Sequence, residues 1–124
     1  MEKINLQQKF TLFSDYWNPK IVGEVNQFEV KIVKVKGEFV WHHHDQEDEL
    51  FFVVKGRLLM QVREESKNQQ DIWVEEGELI IIPHGVEHRP VAEEETHLML
   101  LEPTTTVNTG TIQSERTVLD VERL

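Results

Sequence analysis

From Ile21 to Glu102 the chain is a succession of short apolar runs, each cut off by glycine, proline or a polar turn. The longest, Leu50–Val54 and Leu79–Pro83, reach only five residues, and turn signals recur every eight to twelve. That spacing predicts an all-β sandwich or barrel rather than βαβ units. Val30, Ile32 and either Val33 or Val35 alternate with Lys31, Lys34 and Lys36, the pattern of a half-buried strand, and Gly37 breaks it. Leu50–Val54 is a second strand, turned at Lys55-Gly56, with Leu58–Val62 expected as its hairpin partner. Residues 64 to 71 read as a polar loop and Ile72-Trp73-Val74 as a short strand ended by the turn Glu75-Glu76-Gly77-Glu78. Leu79–Ile82 reads as a buried strand, and Thr96–Glu102 as another.

The ends have a different texture. Ile4, Leu6, Phe10, Leu12 and Phe13 are scattered among polar residues, which fits a short amphipathic helix or a capping arm, and Asn18-Pro19 ends that segment. Residues 1–20 are therefore read as an N-terminal helix or arm, 21–103 as the barrel and 104–124 as a tail packing on or near it. In the tail Asn108-Thr109-Gly110 predicts a turn, and Val118, Leu119 and Val121 a last strand or arm. A length of 124 residues suits one domain with a real core.

The acidic balance, 23 Asp and Glu against 13 Lys and Arg for a net charge of −10, argues against a nucleic-acid partner, which draws on clustered cations. No apolar run is long enough to span a bilayer and the first residues hold no leader-like segment, so no membrane partner and a cytoplasmic location are expected. There is no cysteine. Any metal must then be held by nitrogen and oxygen donors.

Such donors crowd into His42-His43-His44-Asp45-Gln46-Glu47-Asp48-Glu49, and a second group follows in Pro83-His84-Gly85-Val86-Glu87-His88. Residues two apart on a strand share a face, about 6.5 Å from one another. His42 and His44 then project together with Val40, while Trp41 and His43 point the other way. Glu49, across the acidic turn, and His88, after the proline–glycine turn, complete the expected set of four, with Glu47 and Asp48 as neighbours of Glu49 that could replace it. Three imidazoles and a carboxylate suit one divalent transition metal, whether Fe, Mn, Ni, Cu or Zn, and suit Ca or Mg poorly.

These two segments resemble the motifs of the cupin family. Gly37 through Gly56 is similar to the first, with His42-x-His44, four residues, Glu49, six residues and Gly56. Gly77 through His88 is similar to the second, with Gly77, five residues, Pro83-x-Gly85, two residues and His88. The resemblance implies a double-stranded β-helix, the cupin jelly-roll barrel, preceded here by the short helix or arm. With 20 residues between Gly56 and Gly77, it is the small single-domain kind that is resembled, a kind that commonly forms homodimers. Two departures stand out. Four residues rather than the usual five separate Gly37 from His42, which leaves open a register led by His43 and Asp45. The asparagine often found four residues after the last histidine is Ala92.

Several residues have a competing structural role. His43 and His84 are expected at the surface. His97 shares a strand face with Met99 and Leu101, either as a pocket group or as a core histidine. Parity places Phe39 and Trp41 on the outer face, covered by the N-terminal segment or a second subunit. Val40, Phe51, Val53 and Met99 are expected to line a ligand pocket beside the metal, and His97, Glu87 and Glu38 are the candidate general bases. Three functions follow from the resemblance and the site. The first is a metal-dependent enzyme on a small organic molecule, dioxygenase-like or sugar-isomerase-like. The others are a non-catalytic sensor or carrier, and a structural barrel whose site serves only stability.

Overall fold

The computed structural model describes residues 1–64 and 68–124. Among the described residues one helix and eight strands follow in order: α1 (Leu6–Phe10), β1 (Lys20–Val25), β2 (Phe28–Glu38), β3 (Glu49–Lys55), β4 (Arg57–Arg63), β5 (Gln70–Glu75), β6 (Leu79–Ile82), β7 (Glu87–Pro103) and β8 (Glu122–Arg123). The middle of the expected 64–71 loop lies outside the described residues, and β5 already begins at Gln70. The helix is short. Asn5 caps it by accepting from the Gln8 amide at 3.0 Å, and its stability comes from burying Phe10 rather than from propensity.

The spine of the fold is β7. Along one edge it pairs antiparallel with β2 from Val91 to Pro103; along the other it pairs first with β4, over Glu87–Val91, and then with β3, over His97–Leu101. One long strand shared between two successive partners wraps the sheet into the jelly-roll barrel. The remaining order is β5-β4-β7-β2-β1-β8, with β6 on the free edge of β3.

This arrangement overturns the expected hairpin. β3 and β4 are consecutive but pair with different stretches of β7, not with each other. Gly56 makes the crossing at φ +97°, where a Cβ would meet Thr96 Oγ1 at 2.8 Å and the Glu95 carbonyl at 3.2 Å. A tight glycine turn between two apolar runs fits both a hairpin and a move to another stretch of a shared partner. Alternation alone carries no information on which it is.

Two apolar clusters result. Inside the barrel, Val33, Val35, Phe51, Val53, Leu58, Met60, Val62, Val74, Ile82, Leu98 and Leu100 pack as one core. Outside, α1 lays Phe10 over Ile32 and Val22, with Met99 and Val54 beside them. β2 is thus buried on both faces, with Val33 and Val35 inward and Val30 and Ile32 under the helix, rather than half-buried. β6 departs the other way: Leu79 and Ile81 are 54% and 55% exposed, because an edge strand alternates and only Ile82 turns inward fully. The last strand, β8, pairs parallel with β1 and begins at Glu122, beyond the expected Val118–Val121, and Leu119 stays exposed. No described helix is long and apolar enough to cross a membrane.

Candidate metal centre

β2 ends at Glu38 after a register shift between Val35 and Gly37, and the chain runs irregularly to β3 at Glu49. Within that stretch His42 and His88 form an isolated antiparallel bridge, with His42 N–H donating to the His88 carbonyl at 3.1 Å and His88 N–H to that of His42 at 2.8 Å. The bridge ties the two motifs together across 46 residues of chain and puts both imidazoles on the inner side. Glu49 arrives as the first residue of β3, opposite Ile82.

His42, His44, Glu49 and His88 are all buried, and one donor atom from each lies within 4.8 Å of the others. Donors around a shared ion with bonds near 2.1 Å sit up to about 4 Å apart, so a slight contraction would seat one. His42 Nδ1 faces the Val40 carbonyl at 2.8 Å, and His88 Nδ1 faces that of Val86 at 2.9 Å. Each carbonyl needs a proton on Nδ1, which leaves Nε2 as a bare lone pair pointing at the centre. His88 Nε2 then lies 3.1 Å from Glu49 Oε1 and His44 Nε2 lies 2.8 Å from the same oxygen. The second of these is out of line for a hydrogen bond, so both ring nitrogens of His44 are buried without a hydrogen-bond partner. Converging lone pairs repel unless a cation lies between them. The residues fit a divalent transition metal.

The electrostatics agree. Burial, reinforced by the neighbouring His88, lowers His42 to about 3, so its ring is neutral and available as a ligand. Burial alone would raise Glu49, but the His44 and His88 rings beside it hold its carboxyl well below the usual range. Glu102, an inward residue of β7, is driven well above the usual range by burial and then by the charge of Glu49, against the pull of Lys31.

The other donors of the first motif are engaged elsewhere. His43 Nε2 meets Asp45 Oδ1 at 2.9 Å at the surface, which takes both residues of the alternative register away from the centre. Asp48 Oδ1 holds the turn at His84 through the amide at 2.8 Å and the ring at 2.9 Å, and Glu47 accepts from Thr105 Oγ1 at 2.9 Å.

Beside the four residues lies a cavity of about 50 Å³. It is lined by Trp17, Pro19, Val33, Val35, Phe39, Phe51, Pro90, Leu98 and Leu100, with His42, Glu49, Glu102 and Asn108 as its polar members. Of the four expected pocket residues only Phe51 lines it. Val53 is wholly enclosed in the core, Val40 packs half-buried against it, and Met99 faces α1 on the opposite side of β7. The cause is parity. β7 turns its even-numbered residues inward at His88–Ala92 and again from Thr96 through Leu98 and Leu100 to Glu102, so the odd-numbered His97, Met99 and Leu101 face out.

His97 accordingly stacks on Phe10 at 4.4 Å and meets Glu95 at 2.8 Å, outside the cavity. Glu87 pairs with Arg63, and Glu38 with Arg89 at 3.1 Å; neither lines the cavity. Phe39 corrects a second parity argument. Because the strand has already ended, Phe39 turns inward, stacked on Trp17 at 4.9 Å and edge-on to His42 at 5.2 Å. Trp41 does stay outside, under the guanidinium of Arg63 at 4.0 Å rather than under the N-terminal segment.

Trp17 escapes sequence reasoning altogether, and the turn expected at Asn108-Thr109-Gly110 forms, but nothing in the sequence places it against the site. Trp17 N–H donates to Lys34 O at 2.9 Å and its Nε1 to Lys36 O at 2.8 Å, so the arm stoppers one end of the cavity. Gly110 brings the tail so close to the ligand loop that a Cβ there would come within 1.9 Å of the His43 carbonyl.

The chain belongs to the cupin family: the family model described as Cupin domain matches residues 29–103. Among solved structures, it is similar to a cupin-2 domain containing protein from Shewanella frigidimarina, 45% identical with a TM-score of 0.75, covering 81% of this chain and 93% of that one. An uncharacterized Bacillus subtilis protein, YdbB, is 35% identical over 68 residues, 55% of this chain and 57% of its own length. An acireductone dioxygenase from Phaeosphaeria nodorum is 29% identical over 80 residues, 64% of this chain and 42% of that protein. The chain therefore spans about half the length of these two curated relatives.

Proposed function

We propose that this cupin is a metal-dependent enzyme of the dioxygenase type, acting on a small organic molecule held in the cavity. His42, His44, Glu49 and His88 hold one divalent transition metal, iron first among them. The observation that carries this is the meeting of three buried histidine donors and one carboxylate beside an apolar cavity. Likeness to a named dioxygenase over 64% of the chain supports the class. Iron in such a site supplies the chance to bind and activate dioxygen and an electron-rich substrate side by side. The chain's own residues do the rest. Val40 and Val86 carbonyls fix the tautomers of His42 and His88, Phe39 and Phe51 exclude water, and Leu98 and Leu100 hold the apolar body of the substrate.

A sugar-isomerase reading is the weaker one, because a polyol needs many hydrogen-bonding partners and this lining is mostly hydrocarbon. The test is oxygen uptake by Fe(II)-reconstituted protein across a panel of small enediols and hydroxylated aromatics. Uptake that His88→Ala abolishes supports the reading; no uptake with any of them, alongside anaerobic turnover of sugars by Zn or Mn protein, overturns it. We further propose that a second copy covers the outer face of β3 and β6, where Leu79 and Ile81 are exposed. Light scattering should give a dimer mass that Ile81→Lys reduces to that of a monomer.

A further inference from the structure

Every polar group lining the cavity has a use except one. His42 and Glu49 face the metal position, and Trp17 donates to a main-chain carbonyl. Asn108 is spent at both ends, its Nδ2 donating to the Arg116 carbonyl at 2.7 Å and its Oδ1 accepting from Val118 N–H at 2.8 Å. Glu102 is different. It is 2% exposed, Lys31 donates to its Oε1 at 2.8 Å, and its Oε2 has no hydrogen-bond partner. The Glu49 carboxyl lines the same cavity and carries no hydrogen to offer while it ligates a metal.

The anchoring of Glu102 is specific. Glu29 and Glu102 are direct partners across β2 and β7, and Lys31 turns inward between them, 3.6 Å from Glu29 and 2.8 Å from Glu102. Three ionisable side chains buried at one end of a barrel cost stability unless they serve something. Here they fix one carboxyl oxygen, unpartnered, in the cavity beside a metal ligand.

We infer that Glu102 is a ligand-recognition residue, and that the cavity takes a small, largely apolar molecule carrying an O–H or N–H donor within a bond or two of its metal-binding atom. This rests on the metal-binding reading above. The adjacency follows from Glu49 and Glu102 lining one cavity, and the size limit from its volume of about 50 Å³. A carboxyl oxygen accepts such a donor in either protonation state, so the requirement does not turn on where the proton sits.

The test compares two probes on Co(II)-loaded protein by visible absorption. Acetohydroxamate carries an N–H next to its metal-binding oxygen; N-methylacetohydroxamate binds metal through the same oxygens and lacks that donor. The unaltered protein should prefer acetohydroxamate by about tenfold, the upper worth of one net hydrogen bond to a buried carboxyl. In Glu102→Gln, whose carbonyl keeps Lys31 while its amide N–H₂ replaces the free oxygen, the preference should fall to about threefold or less. The triple variant Glu29→Gln, Lys31→Met and Glu102→Met, which leaves no unpaired charge among the three, should lose it as well. An unchanged preference in either folded, cobalt-loaded variant overturns the inference while leaving the metal centre standing. Failure of the unaltered protein to take up Co(II), seen before any hydroxamate is added, overturns the metal reading and this inference with it.

Discussion

The barrel interior has two ends filled in opposite ways. At one end Val53, Leu58, Met60 and Val74 pack as an apolar core, with Leu58 and Met60 wholly enclosed. At the other, β2, β3 and β7 continue into Lys31, Glu49, His88 and Glu102, all equally buried. Stability comes from the first end; the second spends it, since each buried charge or lone pair there carries a desolvation cost that only a partner offsets. The difference teaches where function sits in a uniform alternating pattern. Inward positions filled by groups that gain nothing from burial mark the site.

The largest effect that would sharpen this contrast is at a ligand. His88→Ala should lower metal affinity by well over a hundredfold, measured by competition with a chelator, while Leu58→Ala should leave the affinity of folded protein within about threefold. On stability the order reverses. Leu58→Ala should cost about 2–5 kcal/mol in urea unfolding of metal-free protein, through lost burial and the cavity left behind. His88→Ala should cost metal-free protein less, because it also relieves the crowding of lone pairs around Glu49. Equal losses at both sites would erase the distinction between the two ends.

Gly110→Ala is next in size. The added methyl runs into the His43 carbonyl, and φ +59° strains any side chain, so metal affinity should drop by about tenfold with little change in the packed end. Acid separates the ends more gently. His42 is lowered to about 3 in the fold against about 6.5 unfolded, so the unfolded chain binds the extra proton between those values. Its contribution to stability therefore falls as pH drops below about 6.5, by at most about 1.4 kcal/mol per unit. Glu102, pushed upward, acts with the opposite sign, so the effect is read as the difference between unaltered metal-free protein and His42→Gln at pH 7 and 5. The unaltered protein should lose more. The smallest effect is at His43, paired with Asp45 at the surface, where His43→Asn should change metal affinity less than twofold.

Much of the architecture is legible from turn spacing, and the two histidine-bearing motifs announce themselves by residue type. What alternation could not supply was strand partnership. Leu58–Val62 looks like a hairpin mate of Leu50–Val54 because both are apolar runs beside a glycine, yet β7 is long enough to take each on a different stretch. Alternation also has a limited range. Along β7 it is interrupted only at the exposed Glu93-Glu94-Glu95, and counting by two from His88 past that break leads to Leu98, Leu100 and Glu102. It fails at once after Gly37, where the strand ends and Phe39 turns in. The stoppering of the cavity by Trp17 and Asn108 was hidden because neither residue carries metal chemistry and both come from outside the barrel strands.

The central claim is that His42, His44, Glu49 and His88 hold one transition metal. Elemental analysis of the purified protein, followed by titration of the stripped protein with Co(II), tests it most directly. The account predicts one equivalent of metal per chain in the unaltered protein and none retained by His88→Ala. No uptake by the unaltered protein, or equal uptake by the variant, would contradict it.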